Sequence, residues 1–190
     1  MNKVNKMNKI KIFTFWEPAD KMPAYIKLCI DTWHKYLPEC EVVLLDYSNL
    51  SKYIDISVYG QNFNQKNFSL AQIADAIRCL VLYEHGGIWL DADTILKSSD
   101  VLNYFNREGD VFFGNKTNRT VHIGVIKSNP KSKLMKFWVD GCKKRIDDFN
   151  KLDPHKKILG GGGIILVMQL LMTIFLEMMK LLFMMQRMKA

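Results

Sequence analysis

The stretch Gly86-Gly87-Ile88-Trp89-Leu90-Asp91-Ala92-Asp93 decides the fold of this 190-residue chain, because it joins a glycine turn, an apolar run and two carboxylates. The apolar run predicts a buried β-strand over residues 88–93. Side chains at positions i and i+2 of an extended segment point the same way, so we expect Asp91 and Asp93 to face one ligand. Their hard oxygens suit Mg²⁺ or Mn²⁺ bound to a diphosphate. The pair therefore indicates phosphate-ester or nucleotide-sugar chemistry, and the alternative is a solvated strand end.

A well-marked helix precedes this strand. Ser69 and Gln72 have the spacing of an N-terminal capping box, an apolar stripe follows, and Gly86 supplies the C-terminal stop. Asp75 and Arg78, three residues apart, project from one face of this helix, away from the stripe. Spacing alone leaves two interpretations open. The two side chains form either a surface ion pair or a polar pair that hydrogen-bonds sugar hydroxyls and phosphate oxygens beside the acidic pair.

The chain opens with a β-α-β pattern. Residues 10–16 have the β-branched and aromatic content of a strand, residues 24–36 have apolar side chains at helical spacing, and residues 41–46 form a short apolar run. Alternating strands and helices predict an α/β fold of the Rossmann type, with a mostly parallel central sheet flanked by helices. Sheets of this kind bind ligands beyond the carboxyl ends of their strands, where the acidic pair lies.

The amino-acid composition limits the classes of partner that this chain is expected to bind. The net charge of +8 favours an anionic partner such as a phosphorylated substrate or a membrane surface. The cluster Lys143-Lys144-Arg145 is one candidate contact, and the alternative is a solvated helix face. Motifs typical of nucleic-acid binding do not accompany the charge, so no nucleic-acid partner is expected. The four cysteines have no Cys-x-x-Cys spacing, which favours reduced thiols in a cytoplasmic protein.

The composition changes near Gly160, so we predict one domain over residues 1–159 and a Met- and Leu-rich helical tail over residues 160–190. The longest uncharged stretch of the tail, residues 164–176, falls short of the roughly 20 apolar residues that a membrane-spanning helix needs. An interfacial or packed helix is therefore expected there. A truncation or a change of reading frame would also account for this composition.

A longer pattern surrounds the acidic pair. The order Ala71-x-x-Ala74-Asp75-x-x-Arg78, followed by Leu82-Tyr83-x-x-Gly86-Gly87-Ile88-Trp89-Leu90-Asp91-x-Asp93, resembles the sugar-binding region of glycosyltransferase family 32. Members of that family include capsular polysaccharide and mannosyl transferases. The opening strand is similar to that family's first strand, which also ends in Trp, here Trp16. The family usually has His two residues before that Trp, whereas this chain has Thr14.

The resemblance implies a GT-A-like fold, a nucleotide-diphosphate sugar donor and transfer with retention at the anomeric carbon. It also implies that Asp91 and Asp93 bind Mn²⁺ or Mg²⁺ and act in catalysis together with Arg78. Asp75, Arg78 and Asp91 would contact the donor, and Trp16 would stack on or flank the nucleotide base. The alternative for Trp16, a core residue at a strand end, remains open.

The expected function is therefore hexosyl transfer, an activity of the EC 2.4 class, to a saccharide or lipid-linked acceptor in surface polysaccharide biosynthesis. The expected location is the cytoplasm or the inner face of the cell membrane. One alternative is an inactive, truncated domain that still binds nucleotide sugar. Another is a phosphatase of the haloacid dehalogenase type, although Thr94 follows Asp93 directly instead of two residues later. The histidines are expected to be structural or solvent-facing; they are His34, His85, His122 and His155.

Overall fold

The computed structural model describes residues 9–60, 68–114 and 121–151 and has a five-stranded sheet at its centre. The strands are β1 (Lys11–Phe15), β2 (Glu41–Leu45), β3 (Gly87–Leu90), β4 (Val111–Gly114) and β5 (Val121–Ser128). Their order across the sheet is β2-β1-β3-β5-β4. The helices are α1 (Ala24–Tyr36), α2 (Leu70–His85), the single turn α3 (Leu102–Phe105) and α4 (Lys133–Asn150).

The sheet is mixed, with one reversed strand. β1 pairs in parallel with β2 on one side and with β3 on the other, whereas β5 is antiparallel to both β3 and β4. Four of the five strands therefore point the same way, which confirms the predicted α/β fold with a mostly parallel sheet. Because the chain moves from β1 outward in both directions, the switch point of the sheet lies between β1 and β3.

The sheet has helices on both faces. On one face, Phe13, Trp89 and Ile126 belong to a buried cluster that includes residues of α2 and α4. On the other face, Ile12 and Ile88 pack with residues of α1 and α3 in a second cluster. Strands covered on both faces need apolar side chains at successive positions, which explains the uninterrupted apolar run before Asp91.

Local signals set the bounds of the first two helices. α1 spans the predicted residues 24–36, and the capping box of α2 is complete, with the Ser69 hydroxyl accepting from the Gln72 amide and the Gln72 side chain accepting from the Ser69 amide. Gly86 follows α2 with a positive φ of 64°. The four cysteines are buried free thiols, and Cys79 on α2 lies 3.8 Å from Cys142 on α4 between their sulfur atoms.

The predicted strand over residues 88–93 is wrong at its carboxyl end. β3 stops at Leu90, and residues 91–94 form a turn in which the Thr94 amide donates to the Asp91 carbonyl at 2.8 Å. The chain leaves the sheet here because α1 binds the next segment: Trp33 Nε1 donates to the Thr94 carbonyl at 2.8 Å. Asp91 and Asp93 therefore belong to a turn, and the argument from extended geometry does not apply to them.

Two predictions concern the C-terminal part. The predicted tail over residues 160–190 lies outside the described residues, so the division of the chain at residue 159 stays a prediction. Within the described residues, no helix combines the length and the hydropathy that crossing a membrane would require.

Candidate active site

The carboxyl edge of the parallel strands gathers the candidate residues. Trp16 follows β1, Asp46 follows β2 and Asp91 follows β3, so all three lie at one edge of the sheet. Because β5 runs in the opposite direction, its first residues lie at the same edge, and the Gly124 carbonyl accepts from the Asp91 amide at 2.8 Å. The turn that carries Asp91 and Asp93, called the acidic turn below, therefore lies between β1 and β5, beside the switch point.

Asp91 is fixed by two donors to the same oxygen. Its Oδ1 accepts from Arg78 Nη2 at 2.5 Å and from Trp89 Nε1 at 2.8 Å. The Arg78 guanidinium also lies over the Trp89 ring, 5.1 Å from the ring centroid, and its Nη1 donates to Asp75 Oδ1 at 2.8 Å. α2 and β3 thus hold Asp75, Arg78, Trp89 and Asp91 in one polar network, and only Trp89 was not expected there from the sequence.

Arg78 is a buried cation. The residue is 4% exposed, so the interpretation of Asp75 and Arg78 as a surface ion pair is wrong. Arg78 is covered on the side of β3, where its guanidinium lies over the Trp89 ring and donates to Asp91. α2 also packs against α4. Arg78 Nε has no hydrogen-bond partner among the described residues. A buried guanidinium with both Nη atoms paired is held in place, because moving it would leave buried donors without their acceptors.

The surroundings of Asp75 change its acidity. Burial raises the pKa of the Asp75 carboxyl above its ordinary value, because removal from water disfavours the charged form. The adjacent Arg78 guanidinium opposes this pKa shift, whereas the nearby Asp91 carboxylate adds to it. Asp75 is therefore closer to protonation than an exposed aspartate. The positive charge of Arg78 offsets the repulsion between the Asp75 and Asp91 carboxylates.

The two carboxylates of the turn differ in exposure. Asp93 is exposed, whereas 36% of the Asp91 side chain is exposed and its Oδ2 lies towards Gly124. Together they offer hard oxygen ligands of the kind that Mg²⁺ and Mn²⁺ prefer. No group of three His, Cys, Asp or Glu side chains suited to a metal occurs in the described residues. The residues fit an ion that takes two protein carboxylates and draws its other ligands from phosphates and water.

Gly124 and His122 of β5 also lie at the acidic turn, and neither was predicted. A Cβ built on Gly124 would lie 2.4 Å from Asp91 Oδ2 and 2.6 Å from His122 Cε1, so both side chains border the same small space. A glycine inside a strand pattern signals a bulge or a close approach, and this signal was available in the sequence. Nothing in the sequence connects His122 with Asp91, because their proximity depends on the pairing of β3 with β5.

Trp16 lies against the acidic turn from the β1 side. It is partly buried and packs on a small cluster formed by Met22, Ile26 and Ala92, and Ala92 separates the two aspartates. This placement brings Trp16 to the predicted edge and leaves open whether it contacts a nucleotide base. Thr14, where the resembling family has His, is fully buried, and its Oγ1 has no hydrogen-bond partner among the described residues.

Comparison with known proteins agrees with this fold. The structure resembles that of PaToxG Glycosyltransferase, with a TM-score of 0.51 and 18% identity, over 75% of this chain and 62% of that chain. In sequence, the chain is 30% identical over 96 residues to the O-glycosyltransferase braB of Annulohypoxylon truncatum, which covers 45% of this chain and 23% of that protein. The chain thus has the fold of a glycosyltransferase and spans about a quarter of the curated relative.

The family of this chain follows from a family model that matches most of its length. The model of the capsular polysaccharide synthesis protein family matches residues 1–144. The chain therefore belongs to the capsular polysaccharide synthesis protein family, as the motif around the acidic pair predicts.

Proposed function

We propose that this protein transfers a hexose from a nucleotide-diphosphate sugar to a saccharide or lipid-linked acceptor, with retention at the anomeric carbon, in surface polysaccharide biosynthesis. Its membership of the capsular polysaccharide synthesis family and its glycosyltransferase-like fold support transfer chemistry. The phosphatase alternative has no support from the family. The observation that carries the proposal is the position of Asp91 and Asp93 at the switch point, with Asp91 held by Arg78 and Trp89.

In this proposal Asp93 and Oδ2 of Asp91 would hold a Mn²⁺ or Mg²⁺ ion. Such an ion supplies Lewis-acid stabilisation of the negative charge that develops on a departing diphosphate. Arg78 and Trp89 occupy Oδ1 of Asp91, so only the second oxygen, Oδ2, would be left for an ion. This arrangement fixes the ligand geometry before the substrate arrives, which lowers the cost of binding.

The roles of Arg78 and Asp75 follow from their burial. The resemblance implies direct contact with the donor, but both Nη groups of Arg78 already donate to carboxylates and the residue is 4% exposed. We therefore assign Arg78 a positioning role, in which it acts through Asp91. Asp75 fixes the guanidinium from the other side. Trp16 would flank the nucleotide base, because it borders the acidic turn from β1.

The test is metal-dependent turnover of a panel of nucleotide sugars. We expect the protein to release nucleoside diphosphate from one of them when Mn²⁺ or Mg²⁺ is present, and Asp93→Ala to reduce this rate at least 100-fold. Asp31→Asn, which changes an exposed carboxylate on α1, is the matched control and should leave the rate unchanged.

The outcomes separate the candidate functions. Metal-dependent binding of a nucleotide sugar without release of nucleoside diphosphate would favour the inactive-domain alternative. Donor binding that persists undiminished in Asp93→Ala would contradict the metal role of that residue. The anomeric configuration of the product, read from its NMR coupling constants, tests retention.

Location at the inner face of the cell membrane is the remaining part of the proposal. Lys143 and Lys144 are exposed on α4, where they would attract anionic lipid. Sedimentation with vesicles containing phosphatidylglycerol should fall when both lysines are replaced by Gln. Equal sedimentation of the variant and the parent protein would remove this support.

A further inference from the structure

The start of β5 is distorted directly opposite the acidic turn. Phe112 of β4 pairs with Ile126, but the next residue, Phe113, pairs with His122, so residues 123–125 of β5 have no partner on β4. Bulges of this kind are common beside active sites, where they redirect a side chain. Here the bulge contains Gly124, whose carbonyl binds the Asp91 amide at 2.8 Å.

His122 lies at this position and is exposed, and its two ring nitrogens are available to a ligand. Its Cε1, the carbon between the two ring nitrogens, borders the same space above Gly124 as Asp91 Oδ2. Neither ring nitrogen forms a hydrogen bond to another described residue, in contrast to His85, whose Nε2 lies 2.6 Å from the Tyr53 carbonyl. Packing among the residues that the structure describes therefore does not use the polar atoms of His122.

We propose that His122 is a donor-contacting residue, with a ring N–H that donates to a non-bridging phosphate oxygen of the nucleoside diphosphate. This inference rests on the proposed function, because an ion held by Asp93 and Oδ2 of Asp91 would place the diphosphate beside Asp91. A side chain that borders Oδ2 then faces the same phosphates. His122 borders the acidic turn from β5, and Trp16 borders it from β1.

Gly124 makes this contact sterically feasible. Any side chain at position 124 would enter the space between Asp91 and His122, since even a Cβ would meet both at under 3.0 Å. Asp91 cannot retreat, because Arg78 and Trp89 hold its other oxygen. The absence of a side chain at position 124 therefore lets the Asp91 carboxylate and the His122 ring lie side by side against β5, where one phosphate could contact both.

The experiment measures binding of UDP, GDP, CDP and dTDP in the presence of MnCl₂ by isothermal titration calorimetry. For the nucleotide that binds, His122→Ala should weaken the affinity about tenfold, the effect of losing one hydrogen bond to a charged group. His122→Gln keeps an N–H donor and should recover part of this loss. His34→Ala, an exposed histidine on α1, should bind as the parent protein does.

Gly124→Ala provides a second, independent variant. It should weaken binding more than His122→Ala, and the double variant should lose less than the two separate effects combined, because both act on one space. Thermal unfolding of each variant reports whether the fold is kept.

Two results would overturn the inference, and they are distinguishable. If the parent protein binds a nucleoside diphosphate with Mn²⁺ and His122→Ala binds it equally well, His122 does not contact the donor while the proposed function stands. If His122→Ala raises the KM for the acceptor and leaves the affinity for the diphosphate unchanged, His122 likewise does not contact the donor. That result would assign His122 to the acceptor. If the parent protein binds none of the four nucleotides, the proposed function fails together with this inference.

Discussion

The two sides of the acidic turn are built differently. Asp91 lies in a network of buried polar groups from α2 and β3, and three of its four members lie on elements that pack in the core. Asp93 is exposed, and the segment after it is held through backbone atoms, by Trp33 on the Thr94 carbonyl and by Thr32 on the Leu96 amide. One carboxylate is thus fixed in advance, whereas the other keeps its oxygens available to a ligand. Replacing the first should cost stability, and replacing the second should cost activity alone.

The largest effect is expected at Arg78. Arg78→Met removes the cation from a site that still holds Asp75 and Asp91, and breaking a buried pair in this way costs about 3–5 kcal/mol. The free energy of unfolding in urea measures this loss. Lys136→Met on α4 breaks an exposed ion pair with Asp140 and is the control, with a much smaller change expected. Equal effects of the two substitutions would contradict the structural importance of the buried network.

A direct comparison of the two aspartates should give the next largest effect. Asp91→Ala leaves Arg78 Nη2 and Trp89 Nε1 without their acceptor, which costs about 1–3 kcal/mol of stability. Asp93→Ala removes an exposed carboxylate and should leave the urea midpoint unchanged, although it abolishes turnover. If both variants lost stability to the same extent, the two sides of the turn would not differ as described.

Trp33→Phe acts on the other side of the turn. It removes the donor to the Thr94 carbonyl and some buried volume, so we expect a loss of about 1–2 kcal/mol. The Mn²⁺ concentration for half-maximal activity should also rise, because the segment after Asp93 loses its attachment to α1. Leu37→Val, in the same buried cluster, should lower stability without changing this concentration. A parallel rise in both variants would assign the effect to packing.

The smallest effect is a pH dependence from Asp75. Because burial raises the pKa of this carboxyl in the folded state, the folded chain binds more protons than the unfolded chain above the ordinary aspartate pKa of 3.8. The Asp75 contribution to stability is therefore most favourable below that pH and declines as the pH rises through the folded-state pKa. The difference in unfolding free energy between the parent protein and Asp75→Asn should change with pH in this window. A flat difference would show that Asp75 titrates at its ordinary pKa.

The features that could be predicted from the sequence are those that depend on residues close together in the chain. The bounds of α1 and the capping box of α2 depend on residues within a few positions of each other, and both are confirmed. The sheet direction and the family follow from the alternation of elements and from the motif around Asp91. The functional roles of Asp91, Asp93, Asp75, Arg78 and Trp16 stay predictions.

The features that could not be predicted from the sequence depend on contacts between segments that are far apart in the chain. The segment after Leu90 is bound by α1, and Arg78 is bound by Trp89 and Asp91. Neither the end of β3 nor the burial of Arg78 can therefore be read from the spacing of residues on one element. The same holds for His122 and Gly124, which meet Asp91 only because β5 pairs with β3. The spacing of Asp75 and Arg78 was readable from the sequence, but their burial was not.

The buried thiols described above make the chain convenient for spectroscopy. All four native cysteines are shielded, so thiol-reactive dyes should leave the folded parent protein unlabelled. A single cysteine introduced by Ile95→Cys, at a position that is 62% exposed and two residues beyond Asp93, would then carry the fluorophore alone. Such a reporter would register arrival of a nucleotide in real time, without the need to know which sugar it carries.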